Sequence, residues 1–386
     1  MRILMVNYEF PPVGGGGATA TYHLAKEMVQ AGHHVTVLTS GFSRLPASER
    51  VEGIDVRRLP IWRQRRDFAK LHEMLQYVVF GGPRAAVLGR KTTPARWDIV
   101  QSFFVVPSGP VGWWASRFGG IPHVIRLGGG DLPGHEPKRF ELAHKLLRPS
   151  VRCLLRGAAA RVVNSDGLKQ RAESIFPDMS FEVICNGVDT DQFSPLTSAT
   201  HRVPTVLSVS RLIERKGLQL LLPALARLKQ DGVQFRLLVA GDGPLRAALE
   251  AQTADLGLAE CTEFLGLQSR DELPDIYRQA DVFCLPSLSE GMANVVLEAL
   301  ATGLPIVASD VPGMAELVEE GANGFVVEAG RSDALVEPLR TLLCDEGMRR
   351  RLGEASRRRS ELFTWREMAQ RYLSLYDDIR QRRQLR

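Results

Sequence analysis

The sequence has 386 residues, too many for one ordinary hydrophobic core, so we expect two domains. Its 44% apolar and 24% charged residues exclude a disordered, collagen-like or fibrous chain. The net charge of +5 divides into +8 over residues 1–196, −9 over 197–339 and +6 over 340–386. This distribution does not fit the continuous basic surface of a nucleic-acid-binding protein, and no nucleic-acid partner is expected.

Cysteine usage and hydropathy indicate the compartment. The five cysteines are odd in number and widely scattered, which favours a reducing environment over a disulfide framework or a zinc site. The N-terminus lacks the pattern of a secretory signal. The longest uncharged stretch, residues 99–116, contains prolines and glycines that would break a membrane-spanning helix. We therefore expect a cytoplasmic protein.

Short apolar runs alternate with helical patterns along the chain. In the first half, strands are predicted at residues 3–6, 35–38, 99–104, 123–127 and 161–163. Helices are predicted there at residues 19–31 and 141–155. In the second half, strands are predicted at residues 205–209, 235–240, 282–285, 306–308 and 325–327. The alternation predicts an α/β fold with two doubly wound parallel sheets.

A turn at residues 186–189 and a polar stretch at 194–200 separate the two sets of strands. We therefore expect an N-terminal domain over residues 1–196, a C-terminal domain over 197–363 and a closing helix over 364–386. Ligands of doubly wound sheets bind at the carboxyl ends of the strands. Two such domains facing each other would form one binding cleft with loops from both.

Several arginines surround Trp62 and precede an apolar segment at residues 77–80. This combination suits peripheral contact with an anionic surface at the inner face of a membrane. A merely solvated loop of arginines is an equally good interpretation. The arginines concerned are Arg57, Arg58, Arg63, Arg65 and Arg66.

A glycine-rich loop, residues 14–17, follows the first strand and precedes a helix. Such glycines expose backbone amides to an anion. Gly15, Gly17 and Ala20 match the dinucleotide pattern GxGxxA, but the loop is too long and no acidic residue follows the second strand. A loop that closes over a phosphate or an acceptor is therefore favoured over a dinucleotide site or a merely flexible loop.

Two cations, Arg211 and Lys216, occupy the loop after the first strand of the second domain. In an otherwise acidic region they would focus a positive field on a diphosphate. Surface salt bridges, for instance to Glu214, are the ordinary alternative. Gly241 and Gly243 form a second sharp turn after the next strand, which is a weak signal alone.

Two carboxylates follow the strand at residues 282–285. Glu290 lies in the loop, and Glu298 lies about one turn inside the next helix. Carboxylates accept hydrogen bonds from the vicinal hydroxyls of a sugar and a ribose. A solvated Glu298 on an ordinary helix is the alternative, which its apolar neighbours disfavour.

Together, four segments resemble glycosyltransferase family 4: PPxGG at 11–15, SRLxxxKG at 210–217, GDG at 241–243 and SEGxxNxxLEA at 289–299. Residues 185–189 are similar to the family's PNGVD junction, with Cys185 in place of proline. The resemblance implies the GT-B fold, in which two Rossmann-like domains face each other across a cleft and a C-terminal helix packs back toward the N-terminal domain. It also implies retaining transfer from a nucleotide-diphosphate sugar.

The resemblance assigns Arg211 and Lys216 to the diphosphate, Glu290 to the donor sugar and Glu298 to the ribose. It places the base near Gly266 and Leu267. The remaining donor-binding candidates are Gly15, Gly16, Gly241, Gly243, Gly291, Met292 and Ala293.

This sequence departs from the family at two places. Many members carry a histidine in an HGxD segment, but the corresponding run at residues 127–134 has none. Asp131 is the catalytic candidate left there to orient a hydroxyl. Met292 and Ala293 replace the common Phe-Gly, in a loop that can still present its amides.

We therefore expect transfer from a UDP- or GDP-sugar to a hydroxyl of a sugar or lipid-linked glycan, with the acceptor bound by the N-terminal domain. Arg211, Lys216 and helix N-termini would stabilise the leaving diphosphate, so neither a cofactor nor a metal is required. Asp189 and Asp191 match the DxD of metal-dependent transferases, but their place at the junction favours a turn. The rival interpretations are a nucleotide-sugar epimerase and a non-catalytic sugar-binding protein; the diphosphate cations argue against the second.

Overall fold

The computed structural model describes residues 1–66, 69–90, 96–133, 137–195 and 203–384, and their side chains except at 137–144. The chain forms two compact units. One comprises Met1–Asn186 with Trp365–Arg386, and the other comprises Gly187–Thr364. No helix within the described ranges is both long enough and apolar enough to cross a bilayer.

The first unit contains an eight-stranded sheet in the order β3-β4-β2-β1-β5-β6-β7-β8, with every pairing parallel except β3 with β4. Its strands are β1 Arg2–Val6, β2 His34–Ser40, β3 Ser48–Val51, β4 Ile54–Leu59, β5 Ile99–Phe103, β6 His123–Arg126, β7 Ala160–Val163 and β8 Glu182–Val183. Its helices are α1 Gly16–Gln30, α2 Leu71–Gly89, α3 Ser108–Gly119, α4 Pro137–Gly157 and α5 Asp166–Ile175.

The second unit contains a six-stranded parallel sheet in the order β11-β10-β9-β12-β13-β14. Its strands are β9 Thr205–Val209, β10 Arg236–Ala240, β11 Thr262–Gly266, β12 Val282–Leu285, β13 Ile306–Ser309 and β14 Gly324–Val327. Its helices are α6 Leu218–Gln230, α7 Arg246–Asp255, α8 Leu273–Arg278, α9 Asn294–Ala301, α10 Val336–Cys344 and α11 Glu346–Ser360.

The central strands of both sheets are buried on both faces, which explains why they are continuous apolar runs rather than alternating ones. In β1, Ile3 and Met5 enter one core cluster, whereas Leu4 and Val6 enter another. Successive side chains of a strand point to opposite faces, so this division places a core on each side of the sheet.

The last helix, α12 (Trp365–Gln384), belongs to the first unit. Its buried residues Trp365, Tyr372 and Tyr376 join the core cluster that contains α1. Trp365 stacks on His23 with ring centroids 4.7 Å apart. The predicted packing of the C-terminal helix on the N-terminal domain is confirmed.

Some elements differ from the sequence-based expectation. The hairpin of β3 and β4 was not predicted because its strands are short and charged; Glu52 and Gly53 form its turn with φ of 50° and 82°. The units divide after Asn186 rather than near residue 196, which itself lies outside the described residues. The reason is that Arg357 of α11 donates hydrogen bonds to the carbonyls of Thr190 and Phe193, at 2.9 and 3.0 Å.

Candidate functional site

The predicted donor-site residues of the second unit lie on one edge of its sheet. The loops that carry them follow β9, β10, β11 and β12, which are consecutive neighbours in the sheet. Because all four strands are parallel, their carboxyl ends lie along the same edge. The structure thus brings together Arg211 and Lys216, Gly241 and Gly243, Gly266 and Leu267, and Glu290 to Ala293.

Glycines allow these loops to approach each other closely. Gly217 has φ of +73°, and a Cβ there would lie 1.8 Å from the carbonyl oxygen of Pro286. A Cβ on Gly241 would lie 1.9 Å from the carbonyl oxygen of Ser210. Larger residues would therefore force the β9 loop away from the loops beside it.

Lys216 and Glu290 form an ion pair between the β9 and β12 loops. Lys216 Nζ lies 2.5 Å from Glu290 Oε1, and the two side chains are only 14% and 7% exposed. Ser287 Oγ donates a second hydrogen bond to the same oxygen, at 2.7 Å. Arg215 Nη1 lies 3.8 Å from Glu290 Oε2 and donates to the carbonyl of Ser289 at 2.8 Å. The carboxylate is therefore held from both sides.

The pair fixes its own charge states. Burial alone would raise the pKa of Glu290, but the attraction of Lys216 and Arg215 outweighs it and holds that pKa below its usual value. Burial lowers the pKa of Lys216, against the attraction of Glu290. Glu290 thus stays ionised, and a carboxylate is the form that accepts hydrogen bonds from sugar hydroxyls.

Arg211 and Arg215 differ in their surroundings. Arg211 is exposed and, within the described part of the chain, its guanidinium has no hydrogen bond or ion pair. It is close enough to help lower the pKa of Lys216. Arg215 was missed by the sequence analysis, although it lies inside the SRLxxxKG segment, because the motif leaves its position unspecified. Arg211 is the cation left available for an incoming anion.

Glu298 is a half-buried residue in the middle of α9. Burial raises its pKa to about 7, against the hydrogen bond from Tyr277. Tyr277 Oη donates to Glu298 Oε2 at 2.9 Å, while Oε1 accepts no hydrogen bond from the described residues. The sequence did not single out Tyr277, since a tyrosine at a helical core spacing carries no signal of its partner. This environment disfavours the interpretation of Glu298 as a solvated helix residue.

The loop of Gly291, Met292 and Ala293 leads directly into α9. Met292 and Ala293 are 7% and 4% exposed. The N-cap residue of α9 is Ala293, whose methyl group cannot accept a hydrogen bond from the first turn of the helix. The N-terminus of α9, which is the positive end of its dipole, lies four residues after Glu290 in the sequence.

In the first unit, a carboxylate already occupies the glycine loop. Gly15 is the N-cap residue of α1, and its backbone N donates to Glu9 Oε2 at 3.3 Å. Glu9 Oε1 in turn lies 3.5 Å from Arg63 Nη2. A Cβ on Gly15 would meet no atom within 4 Å, so the loop is open at that residue. Donor binding by Gly15 and Gly16 stays a prediction.

Asp131 is engaged with backbone amides. Its Oδ1 accepts from the N–H groups of Val105 and Val106 at 2.9 and 3.4 Å, and Oδ2 accepts from Gly128 at 2.7 Å. Burial raises its pKa to about 7, although these hydrogen bonds and Arg126 oppose that shift. The observed contacts join the loops after β5 and β6, and a catalytic role for Asp131 stays a prediction.

Asp189 forms a turn at the junction. Its Oδ1 accepts hydrogen bonds from the backbone N of Asp191 and of Gln192, at 3.1 and 3.0 Å. This is the Asx-turn geometry that aspartate favours in loops. The contacts agree with the turn interpretation of the DxD segment.

The arginines around Trp62 are not one solvated group. Arg58 and Arg63 are both 7% exposed. Arg58 pairs with Glu49 at 2.5 Å, and Arg63 donates to the carbonyl of Arg65 at 2.9 Å. Tyr77, expected in the apolar patch, is 1% exposed. Arg58, Arg63 and Tyr77 therefore do not belong to the predicted membrane-facing surface, since buried groups cannot contact a membrane, and membrane contact itself stays a prediction.

Comparisons with known proteins agree with this architecture. Residues 15–187 match the family Glycosyl transferase 4-like domain, and residues 191–359 match the family Glycosyl transferases group 1. The chain is similar to the GDP-mannose-dependent alpha-(1-6)-phosphatidylinositol monomannoside mannosyltransferase of Mycolicibacterium smegmatis, with 29% identity over 99% of this chain and 100% of that protein.

Two solved structures show the same fold. Sucrose-phosphate synthase from Thermosynechococcus elongatus superposes with a TM-score of 0.84 at 22% identity, covering 98% of this chain and 99% of that one. Anabaena Alr3699/HepE in complex with UDP-glucose gives a TM-score of 0.73 at 21% identity, covering 98% and 100% of the two chains. The expected α/β architecture of two parallel-sheet GT-B domains is confirmed.

Proposed function

Because the chain belongs to the family 4 type of glycosyltransferases, we propose that it transfers a sugar from a UDP- or GDP-sugar to an acceptor hydroxyl with retention at the anomeric carbon. The observation that carries this proposal is the ion pair of Lys216 and Glu290 beside Arg211, which is exposed and has no partner among the described residues. A buried carboxylate next to an available cation suits a ligand that carries both hydroxyls and a diphosphate.

The donor would bind along the carboxyl edge of β9 to β12. Glu290 Oε2 lies 3.8 Å from Arg215 Nη1, too far for a hydrogen bond. This oxygen can therefore accept a hydrogen bond from a sugar hydroxyl. Glu298 Oε1 has the same capacity for a ribose hydroxyl. The donor named for the Mycolicibacterium relative is GDP-mannose, and the Anabaena structure contains UDP-glucose. Both nucleotides therefore stay in the proposal.

In the reaction, negative charge develops on the diphosphate as the glycosidic bond to it breaks. Arg211 and Lys216 would stabilise that charge, with the N-terminus of α9 adding its dipole. Stabilisation by fixed cations needs no metal ion, so we propose metal-independent transfer. Glu290, held ionised, would orient the sugar by accepting from its hydroxyls.

We further propose that the first unit binds the acceptor, a sugar or lipid-linked glycan, and that the enzyme acts in the cytoplasm at the inner face of a membrane. The relative from Mycolicibacterium is named for a phosphatidylinositol monomannoside acceptor. None of the five cysteines forms a disulfide bond, which supports this proposal because a reducing compartment keeps thiols reduced.

An NMR assay tests the reaction. The protein is incubated with UDP-glucose or GDP-mannose and a panel of glycan acceptors, and the anomeric coupling constant of the product is compared with that of the donor. The expected product has the same anomeric configuration as the donor. An inverted product would contradict retention, and conversion of the donor sugar without an acceptor would identify an epimerase instead.

A further inference from the structure

A cavity of about 460 Å³ lies between β4 and α2 in the first unit. Three arginines line it, and none of its lining residues among those described is acidic. Arg58 is buried and paired with Glu49. The guanidinium groups of Arg57 and Arg84 have no hydrogen bond or ion pair within the described part of the chain. The cavity therefore presents two uncompensated positive charges.

The outer face of α2 is apolar and uncovered in the described structure. Leu71, Leu75 and Val79 follow one another at four-residue spacing and are 58–64% exposed. Phe80, next to Val79 in the chain, and Val87 are exposed as well. Phe80 also lines the cavity. The apolar face and the arginine cavity are thus one continuous surface.

This surface carries no opposing negative charge from its own helix. Glu73 is the one acidic residue of α2, and it is 3% exposed. Its carboxylate accepts hydrogen bonds from the backbone N of Gln64 and of Lys70, at 2.9 and 2.7 Å. Trp62, which precedes the helix, is 82% exposed.

We propose that the cavity binds the phosphate group of an anionic membrane lipid while the outer face of α2 lies in the headgroup region of the bilayer. Arginine binds phosphate through two parallel hydrogen bonds, and the N–H groups of the Arg57 and Arg84 guanidinium groups are available to donate them. Exposed apolar side chains beside those donors match the boundary between headgroups and acyl chains. A free phosphate would use the arginines but leave the apolar face without a partner, so the lipid is the occupant.

The lipid-binding proposal rests on the proposed function and extends it, because this surface would face the membrane that carries the acceptor. Arg63, one of the arginines expected there from sequence, is buried, so its replacement would test folding rather than binding. The residues to replace are Arg57 and Arg84, which are not buried.

Vesicle flotation tests the proposal with the full chain and without any nucleotide sugar. Wild-type protein is mixed with phosphatidylcholine vesicles and with vesicles that also contain phosphatidylglycerol. We expect it to float with the anionic vesicles and not with the neutral ones. Each arginine near an anionic surface contributes about 1 kcal/mol, so the double variant Arg57→Ser/Arg84→Ser should partition about 30-fold less.

Two further variants complete the experiment. Leu75→Ser/Val79→Ser should also reduce flotation, because it removes apolar surface. Arg350→Ser removes an arginine of the second unit and should float as wild type does. Equal flotation of wild type and Arg57→Ser/Arg84→Ser, or flotation that ignores lipid charge, would overturn the proposal.

Titration with inorganic phosphate separates the two sources of the anion. Calorimetric phosphate binding that depends on Arg57 and Arg84, together with no flotation of the wild type, would identify a soluble-phosphate site and overturn the lipid assignment. Because none of these measurements involves sugar transfer, a failure here leaves the glycosyltransferase proposal unaffected. Likewise, a failed transfer assay would not change what the flotation result says about lipid binding.

Discussion

The Nζ atom of Lys216 lies 2.5 Å from Oε1 of Glu290, across loops that follow the neighbouring strands β9 and β12. The two residues are 74 positions apart in sequence, and neither is more than 14% exposed. Their contact makes the cation and the carboxylate of the candidate donor site depend on each other. Replacing Glu290 leaves the Lys216 ammonium without its carboxylate, and replacing Lys216 leaves Glu290 with only the more distant Arg215, at 3.8 Å, as a cation. Arg211 beside them has no such partner among the described residues.

Lys216→Ala and Arg211→Ala should therefore differ in stability. Breaking a buried ion pair costs about 3 to 5 kcal/mol, so Lys216→Ala should melt well below wild type. Arg211→Ala should keep the wild-type melting temperature while turnover falls about a hundredfold, because it removes a cation that binds the donor diphosphate without breaking an ion pair of the folded protein. Differential scanning calorimetry and initial rates check both. A large drop in the melting temperature of Arg211→Ala would show that it is a structural residue.

Glu298 should make stability depend on pH. Its pKa in the folded protein, about 7, lies above its usual value of 4.5. The folded state therefore binds the proton more tightly, and stability falls as the pH rises between these values and then levels off. Glu298→Gln cannot ionise, so its unfolding free energy should fall less over that window. Urea denaturation at pH 5 and pH 8 measures the difference; the similar shift of Asp131 is common to both proteins and cancels.

Nucleotide affinity should depend on the same carboxyl group. If ionised Glu298 accepts from a ribose hydroxyl, only the deprotonated protein is competent, and the affinity should rise about tenfold from pH 6 to pH 8. Glu298→Gln should bind more weakly and with little dependence on pH. Calorimetric titration of UDP and GDP across this range provides the test. A parallel rise in both proteins would assign the effect to another group.

Gly217→Ala should disrupt the candidate site, because its Cβ would overlap the carbonyl oxygen of Pro286. Gly232 is a matched control: its φ is also positive, at +83°, but a Cβ there meets no atom within 4 Å. Gly232→Ala should cost only the backbone strain, about 1 to 2 kcal/mol, and keep activity. Gly217→Ala should lose more stability and most of its activity. Equal effects on melting temperature and rate in the two variants would show that the loop contact is unimportant.

Metal dependence tests the role of Asp189. Asparagine keeps the Asx turn but is a weaker metal ligand, so Asp189→Asn should retain wild-type rates. EDTA should likewise leave transfer intact. Activity that EDTA abolishes and manganese restores would contradict the metal-independent mechanism.

The central strands could be predicted from sequence because burial on both faces makes them continuous apolar runs, as in β9 and β12. Strands at the edges of the sheets were harder to predict from the sequence. The strand β11 is only partly buried, and β3 alternates between exposed and half-buried residues. Their pairing depends on neighbours distant in sequence, which a local pattern does not contain.

The same distinction applies to the site. Motif spacing identified Lys216 and Glu290, but not that they bind each other, because their contact depends on the order of β9 and β12 in the sheet. Tyr277 and Arg215 were missed for that reason. The burial of Arg63 was also invisible in sequence, since its acceptors include the carbonyl of Tyr8 on a remote segment.

Calorimetric titration of intact UDP- and GDP-sugars is the decisive measurement, because it reports donor binding at the edge of β9 to β12 without needing the acceptor. We predict one-to-one binding of at least one of these donors, about a hundredfold weaker in Arg211→Ala and unchanged in Arg350→Ala. Absence of binding by either class of donor, or equal affinity in wild type and Arg211→Ala, would contradict a donor site at this edge.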